Sequence, residues 1–309
     1  MKVSVLVITF NHREFIERSL DSILCQQTSF DFEVVVGEDA STDGTRDVVL
    51  AYHQRNPDKV RLLLSEKNLG MMSNFIQTFQ ACRGEYIALL EGDDYWTLTS
   101  KLQRQVDYLD AHPEYSECFH DVDVVDEGAP DRTHPFFIAN KKPFYTLEDV
   151  AAGNFIPTCS VMMRADGFPA FPDWFRAMPM ADWPLHVMNA ERGPIGYLPE
   201  SMATYRRHEG GVWSNNSAAV TLEKSLIAIT SIDRHLGARY RYVTHKTMDM
   251  WEREAIRLLL LDHHCRRSLI LAGKALIRSP QIKYRMFIKT CIDALLSAAK
   301  DLTQWRKPA

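Results

Sequence analysis

The chain has 309 residues, of which 46% are hydrophobic and 25% charged, and its formal net charge is −4. These values are ordinary for a soluble globular protein and allow one large or two smaller domains. No apolar run approaches the roughly 20 residues of a membrane span. The six cysteines form no CxxC pair, which argues against a zinc ribbon or a disulfide framework. With no signal peptide visible, we expect a cytoplasmic protein.

Charge is unevenly distributed along the chain. Residues 220–309 hold 17 Lys and Arg against 8 Asp and Glu, whereas the residues before them hold 19 against 32. We therefore expect an acidic body, residues 1–218, followed by a basic helical extension, residues 219–309. The extension favours contact with an anionic partner. Nucleic acid is not predicted, because the body is acidic and the basic residues accompany no recognisable nucleic-acid motif.

Strands and helices alternate over the first 111 residues. Short, continuously apolar runs predict buried strands, and apolar residues at helical spacing predict the helices between them. Strands are predicted at residues 3–9, 32–36, 60–64 and 86–90, and the helices between and after them at residues 13–26, 45–55, 71–82 and 97–111. This order predicts an α/β fold with a Rossmann-like, mostly parallel sheet and helices on both faces.

Beyond residue 111 the pattern is less regular. Residues 117–126 and 195–205 look extended, and residues 182–191 predict a short helix. Residues 206–217 carry Gly and Asn and predict a loop. From residue 219 the spacing is helical, which separates this part from the alternating body.

Three carboxylates directly follow the strand predicted at residues 86–90. Glu91, Asp93 and Asp94 stand so close together that they repel one another unless a cation or a hydrogen-bond donor compensates them. Oxygen ligands suit Mg²⁺ or Mn²⁺, and ligands bind at the carboxyl ends of parallel strands. A polar turn explains the same residues equally well.

Polar segments also follow the first two predicted strands. Thr9, Phe10 and Asn11 end the first, and the run Glu38–Thr45, which contains Asp39, follows the second. At neighbouring strand ends an aromatic ring can stack on a nucleobase and a carboxylate can accept from its N–H groups. A capped turn is the alternative. Neither GxGxxG nor GxxxxGK[ST] occurs, so a Rossmann dinucleotide site and a P-loop are not predicted.

Two later segments carry further candidates. Asp182, next to Trp183 and Pro184, fits a helix N-cap or a general base in a partly apolar pocket. The loop predicted at residues 205–214 combines Arg, His, Gly and aromatic residues, and fits either a phosphate-binding lid or a solvated surface loop. The other histidines, His12 among them, show no metal-ligand spacing and are interpreted as structural or solvated.

Together these segments resemble the family 2 inverting glycosyltransferases of the GT-A fold. The resemblance covers about residues 1–217. It rests on ordered stretches, namely Val3–Asn11, Glu38–Thr45, Asn68–Gly70 with Asn74, Tyr86–Trp96, Asp182–Trp183 and Tyr205–His208. It implies transfer of a sugar, with inversion, from a UDP-linked donor to an acceptor hydroxyl.

The resemblance implies a role for each matching residue. Asp182 stands at the position of the catalytic base. Glu91 and Asp93 stand at the acidic positions of the DxD motif, and the implied metal ligands are Asp93, Glu91 and His208. The implied donor-binding residues are Thr9, Phe10, Asn11, Asp39, Asn68, Glu91, Asp93 and His208. The chain departs from the family pattern at Glu91, where Asp is usual, and at Glu38-Asp39-Ala40, where Asp-Asp-Gly is common.

The resemblance also implies partners: a divalent cofactor (Mn²⁺ or Mg²⁺), a nucleotide-sugar donor and a saccharide or lipid-linked saccharide acceptor. The expected setting is bacterial-type polysaccharide or glycoconjugate biosynthesis. A sugar nucleotidyltransferase would share the sheet and the acidic site, but it needs a Gly-rich basic loop that residues 9–13 do not provide. A non-catalytic nucleotide-sugar-binding module would not need both Asp93 and Asp182, so the presence of both argues against that class.

Near the C-terminus, residues 282–296 alternate Lys and Arg with apolar residues in the pattern of a cationic amphipathic helix. Such a helix can lie on an anionic membrane surface, which would place the protein peripherally on the inner face of the plasma membrane. A helix packed on the catalytic domain, or an oligomer contact, explains the pattern as well.

Overall fold

The structure is a computed structural model that describes residues 1–129, 132–136, 138, 141–211, 213, 216–261, 267 and 270–271. The chain divides into two compact units, Met1–Glu209 and Gly210–Ala309. None of the described helices has the length and apolar character that a membrane crossing needs. The predicted amphipathic segment at residues 282–296 lies outside the described residues.

The first unit alternates strands and helices, as predicted. Its strands are β1 (Val3–Thr9), β2 (Phe32–Glu38), β3 (Val60–Leu64), β4 (Tyr86–Glu91), β5 (Tyr95–Trp96), β6 (Glu117–Asp126), β7 (Thr133–Pro135), β8 (Phe144–Tyr145), β9 (Met162–Arg164) and β10 (Ile195–Arg207). Its helices are α1 (Ile16–Leu24), α2 (Thr45–Arg55), α3 (Met71–Ala81), α4 (Lys101–Ala111), α5 (Leu147–Ala151), α6 (Asp173–Arg176) and α7 (Asp182–Ala190). The first and fourth helices begin three to four residues later than predicted, at Ile16 and Lys101.

Within the described residues the strands form one sheet in the order β3-β2-β1-β4-β9-β6-β10-β5, with β7 beside β6 and β8 beside β10. The pairs β1–β2, β1–β4, β2–β3 and β6–β10 are parallel. The shorter strands β5, β7, β8 and β9 run antiparallel to their neighbours. The prediction of an α/β fold with a mostly parallel sheet is therefore confirmed.

Helices cover both faces of the parallel strands. On one face Val5 and Val34 share a buried cluster with Leu20 of α1 and Val106 of α4. Helix α3 packs against β1 and β2. Because both faces are covered, these strands are mostly apolar instead of alternating. Ser4 and Glu33 are buried polar exceptions within β1 and β2. Further polar residues follow at the carboxyl ends, where the candidate site lies.

The described part of the second unit is helical, as predicted. It contains α8 (Ala218–Leu236) and α9 (Arg241–Leu261), joined through Gly237, whose φ is 70°. The hydroxyl oxygen of Ser217 accepts a hydrogen bond from the backbone N–H of Val220 and caps α8. The side chain of Asp233 in α8 holds α9 by accepting from the hydroxyl of Thr244.

The core of the first unit contains a fully buried lysine. Lys101 opens α4, and its Nζ lies 3.9 Å from the centre of the Trp96 ring, with no hydrogen-bond partner among the described residues. Burial lowers the pKa of Lys101 from 10.5 to about 7. The ring face supplies part of the compensation that a carboxylate would otherwise give.

We expect Lys101→Met to stabilise the protein at about pH 7 and to lose part of that advantage as the pH rises to about 9. Over this range the unfolded chain holds a proton on Lys101 that the folded chain releases, so wild-type stability rises with pH by on the order of 2 kcal/mol. Urea denaturation of both proteins at the two pH values measures the difference. Lys67→Met, at an exposed position, is the control: its free energy of unfolding should differ from that of the wild type by the same amount at both pH values. A Lys101→Met effect that does not change with pH would contradict the assignment.

Candidate active site

The loops after β1 and β2 are tied together at the carboxyl edge of the sheet. Asn11 has a left-handed φ of 55°; its Oδ1 accepts from the N–H of Thr42, and its N–H donates to Oγ of Ser41, each at 2.9 Å. Phe10 beside it is 40% exposed. Thr9 is buried, and its hydroxyl has no partner among the described residues. The two loops therefore present an open aromatic face and an unpartnered hydroxyl.

Asp39 joins the second loop to the loop after β3. Its buried carboxylate accepts two backbone hydrogen bonds, from the N–H of Leu69 at 2.7 Å and from that of Gly70 at 2.9 Å. Oδ1 of Asn68 also accepts from the N–H of Gly70, at 2.9 Å. Asp39 thus fixes the segment that contains Asn68, and these two predicted donor-binding residues are linked through the backbone N–H of Gly70.

The acidic cluster follows β4 and adjoins the end of β1. The register pairs Ile8 with Glu91, so Gly92 lies against Thr9 and His12. A Cβ at Gly92 would lie 2.6 Å from Oγ1 of Thr9 and 2.9 Å from Nδ1 of His12. This position therefore needs glycine, which explains the residue between the first two carboxylates.

Two imidazoles converge on one carboxylate oxygen of the cluster. Nε2 of His208 lies 3.0 Å from Oδ2 of Asp93, and Nε2 of His12 lies 3.7 Å from the same atom. The ring of Phe15 packs on His208 with 4.4 Å between ring centres. The structure thus brings His208 to the acidic cluster, as predicted. His12, interpreted as structural or solvated, also lies beside the cluster, because β1 ends so close to β4 that the following turn reaches it.

The three carboxylates differ electrostatically. Burial alone would raise the pKa of Asp93, but the two histidines more than offset it, and the pKa is lowered. The pKa of Glu91 is raised well above its usual range by burial and by the charges of Asp94, Asp93 and Asp182. The pKa of Asp94 is likewise raised, by burial and by Asp93. Asp93 therefore carries the stable negative charge of the cluster.

Asp94 holds the end of β10. Its Oδ1 accepts from the backbone N–H of Arg206 at 2.8 Å, and Nη1 of Arg206 donates to the carbonyl oxygen of Asp93 at 3.0 Å. The guanidinium also pairs with Glu127, 3.2 Å between Nε and Oε1. The prediction that residues 206–217 form a loop is wrong at its start, because these bonds keep β10 extended through Arg207. The sequence places Arg206 in a possible phosphate-binding loop but does not predict its bonds to Asp93 and Asp94.

Asp182 is the first residue of α7, and Ala181 is the N-cap. The N-cap interpretation of Asp182 is therefore wrong. Its Oδ2 accepts from Nδ2 of Asn154 at 2.7 Å, while Oδ1 is buried with no partner among the described residues. The charge of Asp182 contributes to the raised pKa of Glu91, so the two carboxylates lie within electrostatic reach of each other.

Asp93 and His208 could hold a divalent cation between them. A carboxylate oxygen and an imidazole nitrogen 3.0 Å apart are both ligands that Mn²⁺ accepts. Across the part of the chain that the structure describes, no three His, Cys, Asp or Glu side chains form a complete metal site. The residues present fit a two-ligand set that a bound phosphate would complete. The predicted contribution of Glu91 stays a prediction.

Comparisons with known proteins show the family to which the chain belongs. Residues 4–167 match the family model for glycosyl transferase family 2. The chain is 42% identical over 212 residues to an uncharacterized protein of Mycobacterium tuberculosis, an alignment that covers 68% of this chain and 60% of that protein. It is 29% identical over 324 residues to an uncharacterized glycosyltransferase of Nostoc sp., covering 90% and 97% of the two chains. The chain thus spans about 60% of the length of the mycobacterial relative.

Two solved structures share the fold. Residues 1–349 of Staphylococcus aureus TarS, in complex with UDP-GlcNAc, superpose with a TM-score of 0.58 at 21% identity, covering 91% of this chain and 93% of that fragment. The mannosyltransferase PcManGT of Pyrobaculum calidifontis, in complex with GDP-Man and Mn²⁺, gives 0.60 at 17% identity, covering 99% and 88%. The fold is therefore of the GT-A type. With a family model that matches more than half of its residues, the chain belongs to glycosyl transferase family 2.

Proposed function

We propose that this glycosyltransferase inverts configuration, takes a UDP-linked sugar as donor and uses Asp182 as its general base. One observation carries the proposal: the charges of Asp93 and Asp182 both contribute to the raised pKa of Glu91, which supports placing a donor-side and an acceptor-side carboxylate in one site. A direct displacement needs both, one near the leaving diphosphate and one near the attacking hydroxyl. TarS with UDP-GlcNAc and PcManGT with GDP-Man support a nucleotide-sugar donor.

The donor's nucleotide would lie on the loops after β1, β2 and β3. Phe10 offers an exposed ring for the base, and the buried hydroxyl of Thr9 lacks a partner among the described residues. The Asp39 carboxylate accepts one backbone bond on each oxygen and can accept a further N–H from the base. Asn11 and Asn68 hold the loops on either side.

The chemistry follows from where the carboxylates stand. Oδ2 of Asp182, oriented by Asn154, takes the proton of the acceptor hydroxyl. That oxygen bonds to the anomeric carbon from the face opposite the diphosphate. The bond between the anomeric carbon and the diphosphate oxygen breaks, and its electron pair leaves with the diphosphate, so the configuration inverts. A divalent cation held by Asp93 and His208, with Glu91 near, would offset charge on the departing diphosphate.

The proposal also gives the basic extension a role in binding the acceptor. We assign catalysis to residues 1–218 and contact with an anionic acceptor or its membrane surface to residues 219–309. The excess of Lys and Arg in residues 220–309 supports this division. A saccharide or a lipid-linked saccharide would be the acceptor.

We expect Asp182→Asn to lower kcat by about a thousandfold and to leave donor affinity unchanged, because the amide keeps the shape of the carboxylate but takes no proton. Nucleotide release from a panel of UDP- and GDP-sugars with Mn²⁺ measures kcat, and titration with the free nucleotide measures affinity. Asp173→Asn is the matched control, since Asp173 is the exposed first residue of α6. Wild-type turnover in Asp182→Asn would show that Asp182 is not the base.

Metal removal should abolish both turnover and nucleotide binding. After treatment with EDTA, we expect UDP to leave the melting temperature unchanged, and UDP with added Mn²⁺ to raise it. Asp93→Asn should lose most of that Mn²⁺-dependent rise, because the amide is a weaker ligand. An equal UDP-induced rise in EDTA-treated and Mn²⁺-loaded protein would rule out the metal role.

Gly92→Ala should weaken UDP binding by about tenfold or more, because the added Cβ would displace Thr9 and His12 from the site. Isothermal titration with UDP and Mn²⁺ measures the loss. Gly128→Ala is the control, since a Cβ there meets nothing within 4 Å. Unchanged affinity in Gly92→Ala would mean that the donor does not depend on this turn.

A further inference from the structure

Arg206 is a buried arginine at the end of β10, beside the acidic cluster. It is only 6% exposed. Its Nη1 donates to the carbonyl oxygen of Asp93 at 3.0 Å, and its Nε lies 3.2 Å from Oε1 of Glu127. Burying a guanidinium costs desolvation energy, and an apolar side chain of similar volume would fill the same space without that cost. The directional bonds therefore point to a use that an apolar residue could not have.

Arg206 is also joined to the cluster through its backbone. Its N–H donates to Oδ1 of Asp94 at 2.8 Å. Backbone and side chain thus bind two consecutive residues of the turn after β4, and this turn cannot move relative to the end of β10 without breaking one of these bonds. His208 follows Arg206 by only two residues. The two bonds therefore set the position from which the imidazole of His208 reaches Asp93.

The side chains of Arg206 and His208 meet on one aromatic ring. Cζ of Arg206 lies 5.2 Å from the centre of the Phe15 ring, and the centre of the imidazole lies 4.4 Å from the same point. Cζ of Arg206 also lies 4.6 Å from the centre of the Tyr95 ring. A flat guanidinium can stack on rings while its edge donates hydrogen bonds, which the single ammonium of a lysine does not do. Phe15 thus supports the imidazole while Nε2 lies 3.0 Å from Oδ2 of Asp93.

We propose that Arg206 is a positioning residue that holds His208 against Asp93. Phe15 is the surface on which the side chains of Arg206 and His208 meet. This inference rests on the proposed binding of a divalent cation by Asp93 and His208. One member of that pair is bonded to Arg206 through its carbonyl oxygen, and the other shares its ring contact. Because Arg206 acts on the cation through this pair, its loss should raise the Mn²⁺ concentration that nucleotide binding needs.

Arg206→Lys keeps the positive charge but has one donor group in place of the guanidinium fork. The rise in melting temperature that UDP causes is measured over a series of Mn²⁺ concentrations, and the concentration that gives half of the full rise is the Mn²⁺ midpoint. We expect Arg206→Lys to raise this midpoint about tenfold and to reach the wild-type rise at saturating Mn²⁺. Arg207→Lys is the matched control with an unchanged midpoint, since Arg207 is exposed and pairs with Asp126.

A purely structural role for Arg206 gives a different result. It would lower the melting temperature of Arg206→Lys without nucleotide and leave the Mn²⁺ midpoint unchanged. A folded Arg206→Lys with a wild-type midpoint would therefore overturn the inference. Phe15→Leu is the second variant, because it removes the shared ring and keeps both hydrogen-bond partners of Arg206, and it should also raise the midpoint. If Arg206→Lys does not fold, an unchanged midpoint in Phe15→Leu overturns the inference instead.

His208→Ala separates this inference from the proposed function. If nucleotide binding by the wild type does not depend on Mn²⁺, or if His208→Ala keeps the wild-type midpoint, the metal role of His208 fails and the inference falls with it. If His208→Ala raises the midpoint and Arg206→Lys does not, only the inference falls. In a His208→Ala background we expect Arg206→Lys to cause little further shift, because the pair it holds together is already broken. A full additional tenfold shift would make Arg206 independent of His208 and overturn the inference.

Discussion

Parallel pairing of β1 with β4 is the constraint on which the site depends. The register sets Ile8 beside Glu91, so the turn after β1 and the acidic turn after β4 occupy the same edge. Gly92 lets them approach, because any Cβ there would collide with Thr9. Once these two turns touch, an imidazole from the first reaches a carboxylate of the second. The nucleotide side and the diphosphate side of the proposed donor site are therefore consequences of one strand pairing.

The three carboxylates of the cluster differ in the groups that compensate their charge, and they therefore have different roles in the structure. Asp93 is compensated by two imidazoles and remains negative. Asp94 accepts a backbone N–H and fastens β10, which is a structural task. Burial and the remaining acids raise the pKa of Glu91, which has no cationic partner among the residues that the structure describes. A bound cation would change Glu91 most, since it supplies the compensation that the protein side chains do not.

Much of this arrangement was predictable from sequence because it is local. Apolar runs of strand length and stripes at helical spacing indicate the alternating fold, and the acids stand at a strand end. The contacts of His12 and Arg206 with the acidic cluster were not predicted, because their partners are distant in sequence; the bond between Arg206 and Asp94 spans 112 residues. The N-cap interpretation of Asp182 failed by a single residue, since Ala181 occupies the cap. Periodicity places elements, but it does not fix a helix boundary or a pairing between distant strands.

The two halves of the site are built by different physical means. The donor side consists of turns held to each other by backbone hydrogen bonds, as at Asp39, and by a glycine contact. The proposed base side depends on one helix, α7, whose first residue is Asp182 and whose buried His186 lies 2.8 Å from Glu117, between Nδ1 and Oε1. Asp182 is also held from a loop, because its Oδ2 accepts from Nδ2 of Asn154. A change in that loop would therefore reach the proposed base, whereas the turns of the proposed donor side are held to one another.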